Sequence, residues 1–111
     1  MDQMNFDKEN LSEDQQQQLL FMMLVQQHQQ IAMMGLGKME NPNTGEVERE
    51  LKSAKFAIDT LVMLKKFTKG NLPQKLENYL TETLNNLRVS YADEKEKGEG
   101  DDADSESTEQ E

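Results

Sequence analysis

Between Val47 and Phe67 apolar residues recur at helical spacing on two sides of one segment. Val47, Leu51, Ala54, Ile58, Leu61 and Val62, widened by Ala57 and Leu64, make one stripe, and Phe56, Met63 and Phe67 make a second on nearly the opposite side. The spacing predicts a helix, and a helix with two apolar sides needs a partner on each. Lys52, Lys55, Asp59 and Lys66 share the polar sector between the stripes, with Asp59 one turn from Lys55 and placed to pair with it. The segment Thr68-Lys69-Gly70-Asn71-Leu72 follows, and Gly70 is expected to stop the helix. Upstream, Glu46, Glu48 and Glu50 would fill the first turns and Lys65, Lys66 and Lys69 the end, in keeping with the helix dipole. These features predict a helix over about 46–69.

A helix over about 12–34 precedes it. Ser12 and Gln15 have the spacing of a capping box, and Gly35 or Gly37 is suited to end the helix. Leu20, Leu24 and Ile31 share a face, but the block Leu19 to Val25 is apolar in every direction, which marks a helix covered on more than one side. The surrounding glutamines are uncharged helix formers, suited to a surface that another helix approaches. The turn Asn41-Pro42-Asn43-Thr44-Gly45 links the two helices. A third helix is expected over about 73–92, with Pro73 in its first turn and Leu76, Tyr79, Leu80, Thr83, Leu84, Leu87 and Tyr91 on one face.

Charge divides the chain at that point. Residues 93–111 hold ten of the 22 acids against Lys95 and Lys97, which is −8 of the net −10. Without an apolar pattern, this tail is expected to be disordered, as are residues 1–11 to a lesser degree. The expected architecture is therefore all-α: a flexible N-terminus (1–11), a three-helix hairpin or bundle (12–92) and an acidic tail (93–111), completed by dimerisation because so small a domain stabilises itself only marginally.

From the linker onward the chain resembles a family of small all-helical bacterial proteins known only as a domain of unknown function. The likeness rests on Gly35-Leu36, Asn41-Pro42, Thr44-Gly45-Glu46, Ala54, Ile58-Asp59, Leu61, Met63-Leu64, Thr68-Lys69-Gly70-Asn71-Leu72, Leu84, Leu87-Arg88 and Tyr91. It spans roughly residues 15–92, implies a short helical fold and a bacterial source, and carries over no catalytic residue. Among the polar residues of the pattern, Asp59 or Asn71 is expected to brace the turn and Arg88 to pair with a carboxylate.

Chemistry has little to build on. The chain has no cysteine, which removes disulfides, thiolate metal sites and cysteine nucleophiles. His28 is the only histidine and stands among neutral amides, so it is read as a surface or structural residue. Gly35-Leu36-Gly37-Lys38 lacks the spacing of a phosphate loop, with Ala32 and Met39 where glycine and a hydroxyl residue belong, and is read as a helix end. The eight methionines, including Met22-Met23 and Met33-Met34, are read as core or interface filling rather than a copper site. No enzyme activity, cofactor or metal is expected. The N-terminus is acidic and polar where a secretory signal would be basic and then apolar, and the longest apolar run is seven residues, so no membrane contact and a cytoplasmic location are expected.

What remains is interaction. The leading expectation is an oligomeric, non-catalytic protein-interaction or regulatory module, a homodimer with a further protein partner. Its candidate surface comprises Leu19, Phe21, Met22, Met23, Val25, Phe56, Met63 and Phe67. The alternative uses Lys52, Lys55, Lys65, Lys66 and Lys69 as an anion or nucleic-acid patch, since residues 49–75 hold seven bases against Glu50 and Asp59. No aromatic platform accompanies these lysines, so a solvated face is preferred and nucleic acid is disfavoured.

Overall fold

The computed structural model describes residues 11–98, which form three helices: α1 (Glu13–Gly35), α2 (Leu51–Phe67) and α3 (Gln74–Lys97). The expected all-α three-helix architecture is what the chain adopts. Each of the first two helices closes on local chemistry. The Ser12 side chain accepts from the Gln15 N–H at 3.1 Å while the Gln15 side chain accepts from the Ser12 N–H at 3.0 Å, completing the capping box. At the other end of α1, the Gly37 N–H donates to the Met34 carbonyl and the Lys38 N–H to the Met33 carbonyl, with Gly37 at φ +79°. This is the six-residue Schellman closure, and it confirms Gly35-Leu36-Gly37-Lys38 as a helix end. The α2 end turns at Gly70, also at φ +79°.

The core lies between α2 and its two neighbours. Val25, Ala32 and Leu36 from the α1 arm meet Leu51, Ala54, Ala57, Ile58 and Leu61 of α2 and Leu80, Leu84 and Leu87 of α3. The α1–α2 contact is the most extensive, and α1 and α3 meet more narrowly. Small residues allow the close approach of α1 and α2: a methyl group placed on Gly35 would lie 2.7 Å from the Ala54 backbone nitrogen and 2.8 Å from the Glu50 carbonyl oxygen. The molecule is a slab only 17 Å across in its shortest dimension.

Two boundaries differ from the sequence expectation. Helix α2 begins at Leu51 rather than near Glu46, and Glu50, its N-cap, is extended. The preceding backbone is engaged elsewhere: the Glu50 N–H donates to the Gly35 carbonyl at 2.8 Å, and Asn41 and Glu46 form a bridge. Val47 consequently lies outside the helix and is exposed. Helix α3 runs to Lys97, five residues past the expected end, so 93–97 belong to the fold and not to a tail. Expectations for residues 1–10 and 99–111 fall outside the described residues.

The linker is a self-contained turn. The Asn41 side-chain oxygen accepts from the Asn43 N–H at 2.8 Å, and its carbonyl accepts from the N–H groups of Thr44 and Gly45. Glu48 then ties both ends, accepting from the Asn41 side-chain amide and the Thr44 hydroxyl, each at 3.1 Å.

Candidate interaction surface

Helix α2 turns its inner stripe to the core, which leaves the second stripe facing outward. Phe56 is 74% exposed and Phe67 73%, with Met63 exposed between them. Their spacing of seven and four residues puts them on one line along the helix, and Thr60 continues that line, its hydroxyl donating to the Phe56 carbonyl at 2.9 Å. Two phenylalanines left exposed on one helix face are unusual in a domain this small, because each forgoes about 1.5–3 kcal/mol available from burial.

The candidates on α1 divide. Met23 is exposed, while Leu19 and Met22 are half-buried and Phe21 packs against the core. Val25 is wholly buried, which corrects its placement on the surface. It stands one turn after Phe21 and seven residues before Ala32, on the line that meets α2. The exposed apolar line of α1 is instead Leu20, Leu24 and Ile31, with Leu20 63% exposed. Their common face is visible in the sequence, but nothing local says whether that face looks inward or outward. The small residues Ala32 and Gly35 are the signal that could have decided it, since they mark where α2 comes closest.

The lysines do not form one patch. Lys55 pairs with Asp59 at 2.7 Å, as the i,i+4 spacing suggests, and Lys52 is exposed. Lys65, Lys66 and Lys69 converge on a hollow of about 310 Å³ at the end of α2, which Val62, Leu72 and the acid Glu77 also line. The Lys66 ammonium lies 5.8 Å from the Phe67 ring centroid, so this cation borders the exposed stripe. Chain leaving α3 at Gly98 starts from the opposite end of that helix from Glu77 and this hollow.

Two expectations for the polar residues of the family-like pattern are not met: neither Asp59 nor the Asn71 side chain braces the turn, and Arg88 does not pair with a carboxylate among the described residues. Asp59 is occupied by Lys55, and the α2–α3 turn is held by Thr68, whose hydroxyl donates to the Leu64 carbonyl at 2.7 Å and whose own carbonyl accepts from the Asn71 N–H. Arg88 is exposed and makes no ion pair among the described residues. His28 donates from Nδ1 to the Leu24 carbonyl at 3.0 Å, within its own helix.

The most concentrated charge lies at the other end of the molecule and is structural. Glu94, only 8% exposed, accepts from Arg49 Nε at 3.1 Å and from Lys97 at 3.2 Å, with Lys38 at 3.5 Å. Arg49 also donates from Nη2 to the carbonyls of Glu94 (2.8 Å) and Gly98 (2.6 Å), capping the last turn of α3. The Arg49 hydrogen bond and then that of Lys97 hold the Glu94 carboxyl below its ordinary pKa against a smaller opposing effect of burial, and Glu94 in turn raises that of Lys97. The sequence carries no local signal of this cluster, because Arg49 and Glu94 at its centre are 45 residues apart.

Among the described residues no group of three or more His, Cys, Asp or Glu side chains could hold a metal ion, and no helix is long and apolar enough to cross a membrane. Neither a curated protein nor a solved structure matches the chain. The family described as a domain of unknown function (DUF1844) matches residues 18–93, from the first turns of α1 almost to the end of α3, and the chain belongs to that family.

Proposed function

We propose that the protein is a cytoplasmic, non-catalytic protein-interaction module whose α2 outer face docks a partner protein. The observation that carries this reading is the line Phe56, Met63 and Phe67, exposed on the side of α2 opposite its buried stripe. Aromatic side chains and methionine are enriched at protein interfaces relative to the rest of the surface. Lys52, Lys55 and Lys66 border the line on one side, which favours a partner whose apolar anchors are flanked by acids. The test is affinity capture at endogenous level with the wild-type chain and with Phe56→Asp and Phe67→Asp, each checked for helical content. Proteins held by the wild type should be lost from both variants and released by salt. The same proteins retained on both variants, or none held by the wild type, would overturn the reading.

A second reading, binding of nucleic acid or another polyanion, is favoured by the convergence of Lys65, Lys66 and Lys69 on one hollow. A salt-dependent mobility shift with RNA or DNA, lost on joint replacement Lys65→Glu, Lys66→Glu and Lys69→Glu, would establish it. Absence of binding at low salt would remove it.

A further inference from the structure

We propose that α1 pairs with α1 of a second copy of this chain, antiparallel, about a two-fold axis close to Gln27. The proposal rests on the reading of the protein as an interaction module and names the partner of its second exposed face. Its first support is charge. From Gln15 to Gly37 the chain has no Asp, Glu, Lys or Arg, although 31% of its residues are charged. A two-fold interface sets a surface against itself, so any charge near the axis meets its own kind. The α1 line itself escapes that repulsion. Glu48 and Glu50, which border it beside Ile31 and Met34, stand to one side of the axis at Gln27, so a two-fold carries the two sets to opposite ends. The α2 stripe does not escape it, because two copies placed face to face there would bring Lys52 and Lys66 towards their counterparts.

The second support is shape and register. Leu20, Leu24 and Ile31 are exposed along one line of α1, with Met23 beside them, and Leu20, Met23 and Leu24 help to line an open hollow of about 420 Å³ in which Gln27 also takes part. Side chains of an approaching helix would fill that hollow. Glu13, Leu20, Gln27 and Met34 recur every seven residues, the spacing that keeps side chains on one seam between paired helices. Parallel pairing would set Glu13 against Glu13 on that seam. Antiparallel pairing about Gln27 brings Leu20 to the partner's Met34 and Met23 to the partner's Ile31, and separates the two Glu13 residues by about 40 Å. At the axis the two Gln27 amides meet, and each can donate an N–H to the carbonyl of the other.

Light scattering on the full chain at tens of micromolar should give twice 12.8 kDa. Leu20→Glu and Ile31→Glu should each give the monomer mass with helical content retained, while Phe56→Glu stays dimeric. A monomeric wild type, or dimers that survive both α1 substitutions, would overturn the pairing. Dimers lost on Phe56→Glu and kept on the α1 variants would place self-association on α2 instead. A monomeric wild type that still captures a partner lost on Phe56→Asp would sink this inference alone and leave the proposed function standing. Because the chain has no cysteine, Gln27→Cys and Glu13→Cys each introduce a single thiol. A short bismaleimide should join copies of the Gln27→Cys chain and leave the Glu13→Cys chain uncrosslinked; crosslinking through the Glu13→Cys thiols would contradict the antiparallel arrangement.

Discussion

Gly35 has no room for a methyl group, and the nearest atoms it would strike are backbone: the Ala54 nitrogen in α2 and the carbonyl oxygen of Glu50, the N-cap of α2. Neither can swing aside as a side chain could. Replacing this glycine by alanine ordinarily gains up to about 1 kcal/mol of helix propensity, but here the overlap should win, costing about 1–3 kcal/mol net. Gly35→Ala should therefore lower the denaturation midpoint, while Gly98→Ala, which meets nothing within 4 Å at an extended φ of −178°, should leave it unchanged. The Glu94 cluster makes a second prediction at this scale. Its carboxyl is held below the ordinary value of 4.5, first by Arg49 and then by Lys97, so the folded state binds protons there less readily than the unfolded chain. The resulting stability is fully present above the ordinary glutamate range and lost as pH falls through the depressed folded value. A melting-temperature profile of Glu94→Gln should accordingly run below the wild type at neutral pH and converge on it in acid. Two parallel profiles would show that the carboxylate contributes nothing through its charge.

At the level of the helices, the two stripes of α2 differ in energetic role although both read alike as apolar periodicity. Leu61→Ala, on the buried side, should cost about 2–5 kcal/mol by opening a cavity. Phe56→Ser, on the outer side, should change stability by less than about 0.5 kcal/mol, which chemical denaturation can measure. A large loss there would mean that the ring is already covered in the folded protein. This is also where the sequence is most and least legible. The outer positions Phe56, Met63 and Phe67 follow from spacing alone, because α2 has a clean polar sector to separate its stripes. On α1 the block from Leu19 to Val25 is apolar all round, so periodicity cannot rank its faces; Val25 went inward with Phe21 and Ala32, and Leu20, Leu24 and Ile31 went outward. The ends of α2 and α3 were hidden for a different reason. Arg49 leaves helical conformation to reach Glu94, and Glu94 keeps an acidic segment helical in return. An ion pair across 45 residues leaves no local trace, whereas the capping box at Ser12 and the glycine closure at Gly37 are local and were readable.

As a whole, the molecule is a thin slab, 17 Å in its shortest dimension, with α2 sandwiched between α1 and α3 and apolar lines left open on α1 and α2. A chain of this size buries about 60–65% of the surface it exposes when unfolded, a fraction that leaves little margin. Covering the α1 line with a second copy would add stability through association, and stability gained in that way depends on concentration. The most direct measurement is the melting temperature of the full chain across a hundredfold range of protein concentration, beside a Leu20→Glu, Ile31→Glu double variant. The wild-type value should rise steadily with concentration and the variant's should stay flat. A wild-type melting temperature that does not move over that range would contradict the claim that the exposed face of α1 is an interface between copies.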